Sequence, residues 1–188
     1  MNKNEILSYL DQLELDKNIT LDEIPEIDLY MDQVIQLFEN KFDSTKRNED
    51  DKVLTKTMIN NYAKGKLLIP IKNKKYSKEH LILISLIYNL KTGLSIGDIK
   101  EALNEIVEKN ETEEEILLRE VYKEYVKGSE DDLKEFKSSL DKKINKINDS
   151  EKINEEYEKK LLLLLSMINM SNMYKRMSEK LIDEYFKK

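Results

Sequence analysis

The sequence contains no cysteine and a single histidine, His80. Disulfides, thiolate metal sites and cysteine nucleophiles are therefore excluded, and a zinc site built from histidines is disfavoured. The sequence also lacks a glycine-rich phosphate loop and the G-x-S-x-G and H-E-x-x-H motifs. We therefore expect a protein that is not an enzyme and that needs no cofactor.

Glycine, proline and aromatic residues are scarce. Four glycines and two prolines interrupt the 188 residues, aromatic residues make up 7%, and charged residues make up 37%. This composition favours long helices with charged surfaces over a many-stranded sheet. We predict a mainly α fold with a long terminal helix.

Long hydrophobic runs are missing as well. The longest uncharged run extends from Leu161 to Tyr174 and is shorter than the roughly 20 apolar residues that cross a bilayer. The first residues mix charged and apolar side chains and lack the apolar core of a signal peptide. We expect a soluble, cytoplasmic protein without a membrane partner.

The positive charge that is present is concentrated in one segment. From Lys52 to His80 there are eight lysines and one acid, Glu79, so this window carries +7 while the whole chain carries -6. The other residues therefore sum to -13. A cationic segment in an anionic protein points first to a polyanionic partner.

The pattern around this window is that of a winged helix-turn-helix. One helix is predicted to begin at Asp28, and a short helix to begin at Thr55 and end at Gly65. The apolar run around Pro70 and the lysines after it are interpreted as a hairpin or wing, and Ser77 as the cap of the next helix. In such a fold the second helix enters the major groove of DNA.

Helical spacing turns Met58, Ile59 and Tyr62 towards the core and leaves a polar face outward. Lysines bind phosphates, and asparagine amides pair with adenine. We therefore predict that a recognition helix (55–64) and a wing (65–77) contact double-stranded DNA, with the Tyr76 ring against a sugar or its hydroxyl on a phosphate. The predicted DNA-contacting residues are Thr55, Lys56, Thr57, Asn60, Asn61, Lys64, Lys66, Lys72, Lys74, Lys75, Tyr76 and Lys78.

The rest of the chain is predicted to be helical. Residues 1–20 have the spacing of an amphipathic arm or short helix, and the sequence becomes more highly charged from about Glu108. We predict an N-terminal arm (1–20), a central domain (21–107) and a helical C-terminal region (108–188).

The last helix, predicted to be capped by Ser150 and to follow an interruption at Gly128, has an apolar face wider than one stripe. Two explanations stay open. The helix packs against the preceding helices, or it forms a homodimer, whose irregular apolar contacts methionines fill well. A dimer would allow two recognition helices to meet successive major grooves.

Two other candidate sites have simpler explanations. His80 is expected at the surface or at a helix boundary rather than in a catalytic or metal site, because no second histidine exists. The acidic run Glu111 to Glu115 could bind a divalent cation, but acids at a helix start complement the helix dipole.

The central segment resembles the amino-terminal domain of MerR-type regulators. Met58 to Pro70 is MINNYAKGKLLIP, which follows their pattern Thr-Leu-Arg-Tyr-Tyr, three residues, Gly-Leu-Leu, one residue, Pro. Lys74 to Ser77 resembles their Arg-x-Tyr-Ser at the end of the wing, and Leu90 to Leu103 is similar to a helix junction of these proteins. The resemblance implies a winged helix-turn-helix that binds duplex DNA.

The departures from that pattern include Asn60 in place of the arginine, Asn61 in place of the first tyrosine and Lys66 in place of the glycine. The resemblance therefore leaves the geometry of the turn after the short helix open. The stretches LYMDQV at 29–34 and LTKTMINNY at 54–62 carry a closer resemblance. Through them, Ile24 to Leu103 is similar to the bacterial family known as domain of unknown function 1836. That similarity implies a MerR-like domain without an assigned activity.

Two hypotheses follow. In the first, the protein is a transcriptional regulator that binds double-stranded DNA and forms a homodimer through its C-terminal helices. In the second, it is an all-helical protein-interaction module that keeps a winged-helix scaffold and contacts an acidic protein. Lysine clusters are also typical of ordinary solvated surfaces, so the pattern alone does not decide between them.

Overall fold

The structure is a computed structural model that describes residues 1–110 and 115–187. It confirms the predicted mainly α fold, with a long helix near the end of the chain. Residues 111–114 of the predicted acidic run Glu111 to Glu115 lie outside the described residues. The elements are α1 (Lys3–Leu13), β1 (Leu29–Tyr30), α2 (Met31–Phe42), α3 (Lys56–Lys64), β2 (Lys75–Tyr76), α4 (Lys78–Leu90), α5 (Ile96–Asn110), α6 (Glu115–Asn148) and α7 (Glu156–Leu181), with a 3-10 turn at Asp43–Thr45 and a π-helical turn at Ile182–Phe186.

The chain forms two compact units. The larger unit contains residues 17–127 and 179–188, and the smaller unit contains residues 1–16 and 128–178. The predicted division at residues 20 and 107 is a different partition of the chain, and it stays a prediction.

Helix α4 is the centre of the larger unit. Every residue from Leu81 to Ile87 is buried, as expected for a helix that is apolar on all sides. Its neighbours in the same core come from every other main element of the unit. They include Leu29, Val34, Phe38, Ile59, Ile99 and Tyr122.

A buried hydroxyl in this core has a partner. The Tyr122 hydroxyl donates a hydrogen bond to the carbonyl oxygen of Ile19 at 2.6 Å. Burial raises the pKa of Tyr122 to about 12, so the phenol stays protonated and keeps this bond at physiological pH. The bond connects α6 to the chain that precedes β1.

The start of α2 differs from the prediction. Asp28 does not cap the helix, because Leu29 and Tyr30 are drawn into an antiparallel pair with Tyr76 and Lys75. An extended backbone cannot also be the first turn of a helix, so α2 begins at Met31. This two-stranded ribbon fixes the wing to the start of α2.

The smaller unit packs α1 against parts of α6 and α7. Leu10 is buried with Leu140, Ile144 and Leu163. The N-terminal ammonium group of Met1 also binds a carboxylate oxygen of Glu156, at 2.7 Å. Helix α1, at Lys3–Leu13, confirms the predicted short helix within residues 1–20.

Two predicted helix boundaries in the C-terminal region are wrong. Helix α6 continues through Gly128 without a break, because one glycine costs a helix interior only about 1 kcal/mol. Ser150 lies after the end of α6, where its N–H donates to the carbonyl oxygen of Ile147 at 3.3 Å, and α7 begins only at Glu156. Within the described part of the chain, no helix is long and apolar enough to span a membrane.

Candidate nucleic-acid interface

Helix α3 is held as the sequence predicts. The Thr55 hydroxyl oxygen accepts a hydrogen bond from the backbone N–H of Met58 at 3.2 Å, which caps the first turn. Ile59 and Tyr62 are buried in the core of the larger unit. These two contacts fix the rotation of the helix about its axis, and so fix which side chains face outward.

The outward face of α3 carries the predicted contact residues. Lys56, Thr57, Asn60, Asn61 and Lys64 are all exposed. The positions 56, 60 and 64 are one helical turn apart and therefore share a side of the helix. Neither asparagine side chain has a hydrogen-bond partner among the described residues, so both amides are available for an external ligand.

The backbone at the end of α3 shows the geometry of the turn, which the sequence left open because Lys66 replaces the glycine of MerR-type proteins. Lys66 takes the left-handed conformation, with φ 58°, and its N–H donates to the carbonyl oxygen of Ala63 at 3.1 Å. The N–H of Leu67 donates to the carbonyl oxygen of Tyr62 at 3.0 Å. These two bonds form a Schellman motif in which a lysine occupies the position that glycine favours.

Gly65 has a separate steric role. A Cβ atom at this position would lie 2.8 Å from Cδ1 of Leu67 and 3.1 Å from the carbonyl oxygen of Asn61. A side chain at this position would therefore displace the buried Leu67 side chain and crowd the carbonyl oxygen of Asn61. The predicted helix end at Gly65 is confirmed.

The lysine-rich segment forms a tight turn. Lys72 and Lys75 make an antiparallel bridge, and the residues between them, Asn73 and Lys74, have φ values of 52° and 58°. Positive φ at both central residues is the mark of a type I′ hairpin turn. The predicted small hairpin is confirmed, although the longer strand pairing of the wing is with β1.

The wing lysines differ in exposure. Lys66, Lys72 and Lys74 are exposed, and none of them forms an ion pair with another described residue. Lys75 is half-buried, with its ammonium nitrogen 5.5 Å from the centre of the Tyr30 ring. Tyr30 is an exposed aromatic beside the wing that the sequence interpretation overlooked.

Tyr76 is not in a position to contact DNA as predicted. It is 3% exposed, and its ring lies edge-on to the His80 ring at 5.7 Å. The alternation of a two-residue strand explains the difference, because Lys75 and Tyr76 must face opposite sides. Tyr76 therefore holds the wing to the core from within.

An acidic segment lies beside this cationic surface. Residues 22–32 contain five acids and no base. Asp32 Oδ1 lies 2.7 Å from Lys56 Nζ, and Glu26 Oε1 lies 2.5 Å from Lys78 Nζ. The Lys78 side chain is also only 10% exposed. Two of the predicted DNA-contacting lysines, Lys56 and Lys78, therefore have acidic partners within the chain.

A hydrogen-bond network supports the base of the wing. The Arg119 guanidinium donates to Oε1 of the buried Glu79, and the Ser77 hydroxyl donates to Oε2 of Glu79 at 2.9 Å. Burial disfavours the charged carboxylate, but these hydrogen bonds outweigh it, so the pKa of Glu79 lies below its usual value. Glu79 is therefore a carboxylate at neutral pH.

His80 is a buried helix-boundary residue, so the expected helix boundary is confirmed and the surface location is wrong. Its Nδ1 accepts a hydrogen bond from the Ser77 N–H at 3.0 Å, and its Nε2 donates to the carbonyl oxygen of Ile69 at 3.2 Å. Burial lowers the pKa of His80 despite that second bond. The imidazole is thus neutral and connects α4 to the segment before the wing.

One surface cleft, of about 450 Å³, lies between α2 and the preceding loop. Its two charged side chains, Glu23 and Lys41, bind each other at 2.7 Å, so they do not offer a vacant ion site. Nor do the described residues contain a group of three or more potential ligands that could hold a metal.

Comparison with known proteins identifies a family. The family model described as Domain of unknown function (DUF1836) matches residues 19–125. That range covers more than half of the chain and includes α2, α3, the wing and α4. The searches of curated proteins and of solved structures gave no match. The protein therefore belongs to the family Domain of unknown function (DUF1836).

Proposed function

We propose that this protein is a cytoplasmic transcriptional regulator that binds double-stranded DNA through α3 and the wing. The observation that supports this most is the outward face of α3, where two asparagine amides stand between exposed lysines. Amides can both donate to and accept from base edges in the major groove. The flanking lysines suit the phosphates on either side of that groove.

The wing adds cations beyond the end of the helix. Lys66, Lys72 and Lys74 are exposed and have no ion-pair partner in the described residues. Together with Lys64 they provide four charges that can displace counterions from DNA. Each such contact makes the affinity fall further as the salt concentration rises, which gives the proposal a measurable signature.

The order of elements supports a MerR-like winged helix-turn-helix. Helix α2 is followed by α3, by the hairpin turn at 72–75 and by α4. The left-handed residue after α3 stands where MerR-type proteins have glycine, and Leu67 and Leu68 are buried behind it. The alignment by motif and the local backbone geometry thus agree with each other.

We further propose that the protein is a homodimer that associates through α7. Leu163 packs against Leu140 and Ile144, but a different side of the same helix carries large apolar residues that are exposed. Their spacing of four, three, one and three residues gives a continuous stripe. The stripe consists of Tyr157, Leu161, Leu164, Leu165 and Ile168.

A binding titration tests DNA recognition. Fluorescence anisotropy with genomic duplex fragments should show an affinity that falls steeply between 50 and about 200 mM salt. The double variant Lys74→Glu, Lys75→Glu should lose this binding and keep its helical circular dichroism spectrum. The matched control is Lys142→Glu, Lys146→Glu, which makes the same charge change on an exposed part of α6 and should bind as the natural protein does.

The second candidate is a protein-interaction module without DNA binding. The exposed apolar stripe of α7 favours it, since such stripes on helices often bind partner helices. Under this hypothesis no duplex is retained at low salt, and both double variants behave alike. Neither candidate assigns a catalytic role.

A further inference from the structure

The pair formed by Lys56 and Asp32 lies at the proposed interface. Lys56 is in the first turn of α3, and Asp32 is in the first turn of α2. Their side chains are 63% and 76% exposed, yet the charged atoms are 2.7 Å apart. This exposure leaves both charges accessible to an external ligand. An exposed pair of this kind also contributes at most about 1 kcal/mol to folding.

The location of Asp32 is set by the ribbon. Asp32 follows Tyr30 by two residues, and Tyr30 is paired with Lys75 of the wing. The carboxylate therefore lies beside the first turn of the recognition helix, two residues from the strand that pairs with the wing. A negative charge is held within the surface that we assign to phosphate binding.

We infer that Asp32 is a specificity-determining residue that weakens binding to arbitrary duplex DNA. This inference depends on the proposed function. In the unbound protein Asp32 neutralises Lys56, so Lys56 must leave it before it can bind a phosphate. The carboxylate then faces the polyanion, and this repulsion acts on every DNA sequence alike.

A suitable base sequence can offset that repulsion. The carboxylate oxygens of Asp32 accept hydrogen bonds, and the amino groups of cytosine and adenine in the major groove donate them. A duplex that places such a group near Asp32 regains part of the lost affinity, whereas an arbitrary duplex does not. The carboxylate thus lowers the affinity for all DNA. It also increases the ratio of the affinity for selected sequences to the affinity for arbitrary sequences.

The test compares Asp32→Asn with the natural protein. The amide has nearly the same shape and can still accept from Lys56, but it has no charge. Binding to a random-sequence duplex should strengthen about fivefold at 50 mM salt, a gain of the size expected for one screened charge. The slope of log affinity against log salt should steepen by about one, because Lys56 becomes available to a phosphate.

Two controls separate this role from a change of net charge. Asp132→Asn makes the same charge change at an exposed position in the smaller unit and should leave the affinity unchanged. In a Lys56→Gln background, Asp32→Asn should increase the affinity for the random-sequence duplex by less, because there is no lysine to release. Sequences selected from a random pool should show a lower ratio of selected to random affinity for Asp32→Asn.

The outcomes are distinguishable. If the natural protein retains no duplex at low salt, the proposed function fails, and this inference fails with it. If the natural protein binds but Asp32→Asn behaves like Asp132→Asn, DNA binding stands and the role of Asp32 is overturned. An unchanged ratio of selected to random affinity would also overturn it.

Discussion

The guanidinium group of Arg119, near the start of α6, donates hydrogen bonds to the buried carboxylate of Glu79 in the first turn of α4. Through Ser77 and His80 this contact continues to the carbonyl oxygen of Ile69. The start of α6, the start of α4 and the base of the wing are therefore joined by one polar network.

Removing Arg119 should destabilise the larger unit. In Arg119→Ala the Glu79 carboxylate stays buried without its main partner, and we expect a loss of about 2 kcal/mol in the free energy of unfolding. Urea unfolding followed by circular dichroism measures this loss. The control Arg47→Ala removes an exposed arginine and should cost less than about 0.5 kcal/mol. Equal effects of the two substitutions would mean that the pair contributes nothing specific.

The stability of the larger unit should depend on pH through His80. Its pKa is lower in the folded state, so the unfolded chain binds more protons as the pH falls below about 6.5. Stability is therefore complete above that pH and declines below it. Glu79 also has a lowered pKa, so it adds a further loss only as the pH falls below about 4.5.

The variant His80→Gln isolates the histidine contribution. Glutamine at this position can still accept the hydrogen bond from the Ser77 N–H, as in a capping box, but it does not titrate. Between pH 7 and pH 5 the variant should lose less stability than the natural protein. An identical pH dependence, measured by urea unfolding, would show that His80 does not account for it.

Substitution at the end of α3 should separate stability from charge. Lys66→Gly removes a side chain from a left-handed residue and should stabilise the protein by about 1 kcal/mol. Lys64→Gly removes the same charge from a helical residue of α3 and should destabilise it by about 0.5–1 kcal/mol. Thermal unfolding of both variants provides the measurement, and stabilisation by both would contradict the assigned backbone geometry.

Base reading by α3 should differ from phosphate binding by the wing. Asn60→Ala should lower discrimination between sequences by about 1–3 kcal/mol at one base pair. Lys72→Ala should weaken the binding of all duplexes alike and reduce the salt slope by about one. Affinities for a panel of duplexes that differ at single base pairs distinguish the base contact from the phosphate contact. A uniform loss with Asn60→Ala would argue against base contact.

A charge in the α7 stripe should disrupt the proposed dimer. Leu164→Glu puts a carboxylate into the apolar contact and should weaken self-association at least about tenfold. Ser139→Glu makes the same charge change at an exposed polar position of α6, outside the stripe, and should leave association intact. Multi-angle light scattering across a concentration series measures both. A natural protein that remains monomeric at high concentration would remove the basis for the proposed dimer.

Residue patterns alone predicted the helical fold, the cap at Thr55, the core positions Ile59 and Tyr62, and the helix end at Gly65. These features depend on side chains within a few residues of each other or on helical periodicity, and both can be recognised from the amino-acid sequence. The wrong boundary at Gly128 came from a weak local signal, which a long helix overrides at little cost. Ser150 lies in the turn that follows α6 and does not begin a helix.

The tertiary structure alone decided what surrounds the candidate interface. Strand pairing between residues 29–30 and 75–76 turned Tyr76 into the core and brought acidic residues beside the lysines. Arg119 and Glu79 are 40 positions apart in the chain, and nothing in either segment encodes their contact. Charge counted along the sequence gives the net balance, but the potential at a surface depends on distances in space, which only the packed chain sets.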